Sequence, residues 1–308
     1  MVQMEIDRQI IPYMKISPTN IWKEFIFQGH LFAAGAIGVV YMSSILCNIP
    51  IGLDFIVAIY MMFYAIYFYD YIQGANEDRI TNPERSDYIN NQNKNNDFIF
   101  PLYAAILAMG SIYILWSDIM NMVIGFAILV LGVLYHSYFK KLTKFIPAFK
   151  NIYVATVWAL LVFVLLNYYS YPVTNTAILI SFFIFLKVLS IQILFDIRDI
   201  EGDKKKGLLT LPIFIGGKYS IVLNLLNVLN FFTIAIFAYG IFTNIIPAIS
   251  IMILVIFFYE FSYINQIRKE KSVTEHYMMA ACEPILWALL IQSGNLCVNL
   301  LQTSSNLL

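Results

Sequence analysis

Long apolar runs separated by short polar joints fill this chain from end to end. Runs of roughly 20 residues, the length that crosses a bilayer as a helix, lie at 21–47, 51–73, 98–117, 119–139, 150–169, 175–196, 219–239, 243–263 and 276–301. None shows the two-residue alternation of a membrane β-strand, and lipid supplies no water to satisfy an open backbone. The pattern predicts an all-α, polytopic membrane protein: nine transmembrane helices around a central cavity, in a single domain over residues 1–308.

Composition agrees with the pattern. Of 308 residues, 60% are hydrophobic and 12% charged, which excludes a pair of ordinary soluble domains. A formal net charge of zero removes the electrostatic case for a nucleic-acid partner. Where the charges fall is more informative. Of 19 Lys and Arg, 18 lie in the N-terminal segment or in the joints at 74–97, 140–150, 197–218 and 264–275. The connectors "CNIPIG", "SD", "NYYSYPVTN" and "YGIFTNIIP" carry none. The positive-inside rule then makes the N-terminus and the basic joints cytoplasmic and leaves the tail "QTSSNLL" outside. The opening "MVQMEIDRQIIPYMKISPTN" lacks the apolar core and cleavage site of a signal peptide. Cys47, Cys282 and Cys297 have no ligand spacing, so neither a bridge nor a metal is assigned to them.

Two joints also gather acids. "YFYDYIQGANEDRITNPERSDYI" holds Asp70 and Asp78 at i and i+8, and "FDIRDIEGDKKKGLLTLP" holds Asp196, Asp199 and Asp203 at i, i+3 and i+7. On helices each set projects from about one face. Both end a span on the basic side, four spans apart, which hints at two four-helix pseudo-repeats plus a ninth helix. A single Asp at a span end is a cap or interfacial charge, and Lys204–Lys206 alone would be a topology signal. Two such acidic faces looking into one compartment repel by several kcal/mol in low dielectric, and a divalent cation would relieve this. Mg2+ suits oxygen ligands and is commonly held by one or two carboxylates with substrate phosphates; Zn2+ does not suit a chain without a His or Cys cluster. Arg79, Arg85, Arg198, Lys204 and Lys150 stand near enough in sequence to neutralise a diphosphate.

At these residues the chain resembles the UbiA superfamily of intramembrane prenyltransferases, whose motifs are N-x-x-x-D-x-x-x-D after the second helix and D-x-x-x-D after the sixth. "DIRDIEGDKKKGLLTLP" resembles the second motif, with Asp199 and Asp203 on its positions and Asp196 preceding them. "DRITNPERS" resembles the continuation of the first, which makes Asp78 its last acid. Counting back, Gly74 stands at the middle acid and Asp70 at the Asn; Asn76 and Glu77 are the nearest substitutes. "KLTKFIPAFKNIYVA" is similar to the segment before the family's fifth helix and supplies Lys144, Lys150 and Asn151.

The resemblance implies Mg2+-dependent cleavage of an isoprenyl diphosphate to an allylic cation, followed by transfer of the prenyl group to an aromatic or lipid-like acceptor. It implies metal binding by Asp70, Asp78, Asp196, Asp199 and Asp203. Phosphate contacts would come from Lys150, Arg79 and Arg198, with Arg85, Lys144 and Lys204 as further contributors. The tail would lie among apolar helices. Aromatic faces that could steady a cation include Tyr64, Tyr67, Tyr71, Tyr153, Trp158 and Phe195, although any one such residue is more often core or lipid-facing than catalytic. Lys187 and Glu283 lie inside spans, where an ionisable residue is a functional candidate with a partner nearby. They form a salt bridge to each other, or Lys187 binds substrate and Glu283 acts as a base. His30 is an interior hydrogen-bonded His or a base. "SDYINNQNKNND" reads as a mobile polar loop beside a motif that closes over the diphosphate to exclude water. The vacancy at Gly74 keeps a second chemistry in view, a terpene cyclase that uses the same ionisation without an acceptor. A secondary transporter is the remote alternative, since transporter sites favour the midplane over one interface.

Overall fold

A computed structural model of the chain describes residues 18–76, 78–93, 99–116, 118–270 and 274–305; Glu77 and the N-terminal segment lie outside them. Every regular element among the described residues is helical. The helices are α1 (Pro18–Phe27), α2 (His30–Leu46), α3 (Leu53–Gly74), α4 (Pro83–Asn93), α5 (Ile99–Trp116), α6 (Ile119–Leu134), α7 (Phe149–Tyr168), α8 (Asn175–Lys205), α9 (Tyr219–Phe242), α10 (Leu254–Lys269) and α11 (Thr274–Ser305). Seven of these, α6 and α10 counted with the turns that extend them, are long and apolar enough to cross a membrane, and the α1–α2 pair makes eight. The expected span at 98–117 is the 18-residue helix α5, whose flanks lie outside the described residues. A count of nine therefore stays an expectation.

The expected span at 21–47 is not straight. It bends by 69° between α1 and α2, at Gly29, whose φ of +88° is open to glycine and strained for other residues. A Cβ there would also sit 2.9 Å from that of Tyr67, so the bend itself lies against the last turns of α3.

The polar stretch from Ser86 also departs from the loop expected of it, because residues 83–93 form α4. Its start is chemically marked. Asn82 stands at the cap, its Oδ1 3.4 Å from the Arg85 N–H, and Pro83 takes the first helical position, where no N–H is needed. Tyr88 then holds α4 on α1 through the Phe27 ring, 5.6 Å away, and the Gln28 amide.

The core is largely apolar, and so are the outer faces. Leu107, Phe126, Phe231 and Phe258 are exposed on outer faces, whereas Lys150, Lys187, Asp196, Glu260 and Glu283 are buried between helices. That distribution suits lipid outside and a few partnered charges within an apolar interior. Asp118 and Thr174 cap α6 and α8 by accepting from the Asn121 and Ala177 N–H groups. Helix α8 does not stop at 196 as expected of the sixth span; it continues to Lys205, so the second acidic motif remains helical.

Candidate active site

Both acidic stretches reach one cavity of about 180 Å3 at one end of the bundle. From α3 and the turn after it come Asp70, Gly74 and Asp78; from α8 come Asp196, Arg198 and Asp199; Arg85 enters from α4 and Lys150 from α7. The deeper wall is apolar and aromatic, with Phe32, Tyr67, Val154, Phe195 and Met278. A smaller hollow between Trp158, Val188 and Pro284 shares Phe32, Gln192 and Ala281 with it. The Trp158 Nε1–H donates to the Tyr67 hydroxyl at 3.0 Å and braces that wall.

Each acid has a basic partner. Arg85 Nη2 lies 2.6 Å from Asp78 Oδ2 and its guanidinium 4.2 Å over the Tyr71 ring. Burial opposes the Arg85 charge, but Tyr71 and Asp78 beside it hold its pKa above the ordinary arginine value. His136 Nδ1 meets Asp70 Oδ1 at 3.1 Å. Arg198 grips its neighbour Asp199 with Nε at 2.8 Å and Nη2 at 3.1 Å. Lys150 Nζ joins Asp196 at 2.8 Å and Asp203 at 2.7 Å, and the Asn151 amide donates to Asp196 at 2.9 Å.

Local structure explains these positions. Asp196, Asp199 and Asp203 fall on about one face of α8; the first two line the cavity, while Asp203, one turn past Asp199, is buried against Lys150. Gly202 lets the end of α8 approach the first motif, since a Cβ there would lie 2.8 Å from the Thr81 methyl. Helix α6 ends in a π-helical turn, Tyr135–Phe139, a distortion frequent at functional sites. It brings Tyr135 to the cavity and His136 to Asp70. The loop before α7 is tied to the loop after α8: the Leu209 N–H donates to the Thr143 carbonyl at 2.8 Å, and the Ala148 N–H to the Leu209 carbonyl at 2.9 Å.

Several expected site residues lie elsewhere. Arg79 and Lys204 are exposed and Asn151 is buried, and none of the three lines the cavity. Lys144 lines a different cavity. Tyr153 stacks with Tyr135 and Phe139 and donates to the Leu131 carbonyl. Lys187 and Glu283 do not reach the cavity either. Their Nζ and Oε1 are 2.9 Å apart in a fully buried cluster completed by Glu260, Tyr263 and Trp287, which is the salt-bridge alternative of the two. His30 hydrogen-bonds Tyr60 at 2.8 Å and stacks on Tyr64. Glu77 lies outside the described residues.

Sequence reading did not single out His136, Tyr135, Asn82, Gln192 or Glu260. Gln192 was findable, being four residues before Asp196 on the same helical face, and "TNPE" marks the Asn82 cap. Nothing in "YHSYF" signals a π-turn.

The donor set fits Mg2+. Among the described residues no three acidic, His or Cys side chains converge as a metal cage, yet four carboxylates face one cavity with bases beside them. That suits an ion held by one or two carboxylates, water and substrate phosphates. Asp70, Asp78, Asp196 and Asp199, which all line the cavity, are the side chains that could hold such an ion.

The model described as the UbiA prenyltransferase family matches residues 31–282. Over 109 residues, 34% of this chain, the sequence is 36% identical to digeranylgeranylglyceryl phosphate synthase of Methanosphaera stadtmanae; the match spans only 40% of that relative's length. The fold is similar to the apo structure of a UbiA homolog from Aeropyrum pernix K1, with a TM-score of 0.67 at 16% identity over 86% of this chain and 97% of that one. It is also similar to a UbiA homolog from Archaeoglobus fulgidus bound to GPP and Mg2+, with a TM-score of 0.60 at 16% identity over 88% and 99%. At that identity the structural likeness is one of fold. The family match over most of the length, joined to the bundle of apolar helices, makes this chain an integral membrane protein belonging to the UbiA prenyltransferase family.

Proposed function

We propose that the chain is a Mg2+-dependent prenyltransferase that ionises an isoprenyl diphosphate at the cytoplasmic mouth of the bundle and passes the prenyl group to a lipid-like acceptor, with an aromatic acceptor as the other member of the class. One observation carries this reading: a single cavity joins four carboxylates and four cationic side chains to an apolar, aromatic wall. That polarity matches a substrate with a diphosphate head and an isoprenoid tail. The fold neighbour bound to GPP and Mg2+ and the name of the glyceryl phosphate lipid synthase support the substrate class and the acceptor.

When bound, Mg2+ supplies charge neutralisation on the diphosphate oxygens as the allylic C–O bond breaks. Asp78 and Asp199 would hold it, with Asp70 and Asp196 completing the negative wall. Arg85 and Arg198 exchange their carboxylate partners for phosphate oxygens and stabilise the departing charge. Lys150 fixes Asp196 and Asp203 and, with Lys140, adds positive charge at the cavity. The Phe32, Tyr67 and Phe195 rings exclude water and present π faces to the cation.

The test is incubation of the purified full-length chain with Mg2+ and geranyl, farnesyl or geranylgeranyl diphosphate, with and without a glyceryl phosphate lipid or an aromatic acceptor. Acceptor-dependent diphosphate release with a prenylated product is expected. A cyclic hydrocarbon or cyclic terpene alcohol formed without acceptor would make the chain a cyclase instead.

A further inference from the structure

Beside the candidate active site lies a second cavity, of about 200 Å3, lined by His136, Lys140, Lys141, Lys144, Lys206 and Leu208. Its lining holds four lysines and no acid. Two links join it to the first cavity: Lys140 lines both, and His136 reaches across to Asp70. Its walls are preset, because the Thr143–Leu209 and Leu209–Ala148 backbone hydrogen bonds tie the segment carrying Lys140, Lys141 and Lys144 to the one carrying Lys206. The stretch 138–146 interleaves its lysines with exposed Tyr138, Leu142, Phe145 and Ile146, the mixture found where a segment lies in a membrane interface. Topology accounts for lysines on this side of the bundle. It does not account for their closing around one hollow that shares a wall with the clamp.

We propose that this cavity is a second anion site and takes the phosphomonoester headgroup of the lipid acceptor, whose chains lie against the apolar rim. The inference rests on the transfer reading above and names the acceptor's chemistry. Four cations around one hollow suit a doubly charged phosphate better than a neutral or zwitterionic headgroup. The shared wall at Lys140 sets the headgroup one side chain away from the diphosphate, so that the acceptor enters from the lipid beside the donor and not through it.

The experiment uses the full-length protein in nanodiscs of neutral lipid and measures retention of phosphatidic acid, of diacylglycerol with the same chains, and of inorganic phosphate. Wild-type protein is expected to hold phosphatidic acid at least tenfold more tightly than diacylglycerol. The variant Lys141→Gln/Lys206→Gln should lose about tenfold of that preference, and Lys141→Arg/Lys206→Arg should keep it. Equal retention of the two lipids, or a preference untouched by the Gln pair, would overturn the site. Displacement of phosphatidic acid by an equal concentration of inorganic phosphate would make it a free-phosphate site and overturn the lipid assignment. Binding of geranyl thiolodiphosphate with Mg2+, measured in parallel, is expected to be the same in wild type and variants. Its failure in wild type would sink the diphosphate reading separately, while the lipid comparison still decides this cavity.

Discussion

Arg85 closes on Asp78 with 2.6 Å between Nη2 and Oδ2. An arginine seven residues past the last acid of the first motif thus occupies the carboxylate proposed to hold metal. Loading the site requires that contact to be exchanged for phosphate and metal contacts. Arg85→Gln should lower kcat/KM for the prenyl diphosphate about a hundredfold, the scale of losing one preorganised charge-stabilising donor, and should shift Mg2+ half-saturation downward because a competing cation is gone. Initial rates across a Mg2+ series measure both; a loss under about threefold would place Arg85 outside phosphate handling.

Gly74 stands where the resemblance puts an acid, and it faces the cavity. A Cβ there would lie 3.4 Å from Asp78 Oδ2 and 3.7 Å from His136 Cε1, ordinary contact distances. The backbone is helical, so a side chain adds no strain. Gly74→Asp should tighten Mg2+ half-saturation several-fold, since ligand charge count raises affinity for a hard cation. An unchanged Mg2+ titration in a folded variant would locate the metal away from the first motif.

Asp199 and Asp203 are equivalent in motif terms and different in place. Asp199 lines the cavity, whereas Asp203 is buried, 2.7 Å from Lys150. Asp199→Asn should therefore lose most turnover with little change in melting temperature. Asp203→Asn should leave Lys150 undercompensated and lower stability by about 3 kcal/mol or more, while keeping Mg2+ dependence in the folded fraction. Thermal unfolding in detergent alongside rate assays separates the two; identical behaviour would refute this division of labour.

The Lys187, Glu260 and Glu283 cluster joins α8, α10 and α11 with no exposed atom of consequence. Lys187→Met would leave two buried carboxylates facing one another and should destabilise by about 3–5 kcal/mol. The triple variant Lys187→Met/Glu260→Gln/Glu283→Gln should recover most of that. If Glu283→Gln alone melts like wild type yet loses turnover, Glu283 acts in catalysis and not only in this lock.

Sequence by itself determined the class of this molecule. Apolar runs of membrane length, basic joints and two acidic stretches at helical spacing are local properties. They survive any packing, because bilayer thickness and the 3.6-residue repeat impose them. The motif register at Gly74, Asp78, Asp199 and Asp203 came from the resemblance to the UbiA motifs, which are equally local stretches of chain. Tertiary structure decided which of these side chains share a cavity. It placed Asp199 at the cavity and Asp203 against Lys150, paired Lys187 with Glu283, made part of a polar loop into α4 and ended α6 in a π-turn that delivers His136. Those outcomes depend on contacts between residues distant in the chain, such as Gly29 against Tyr67 and Gly202 against Thr81. The periodicity of one helix carries no information about them.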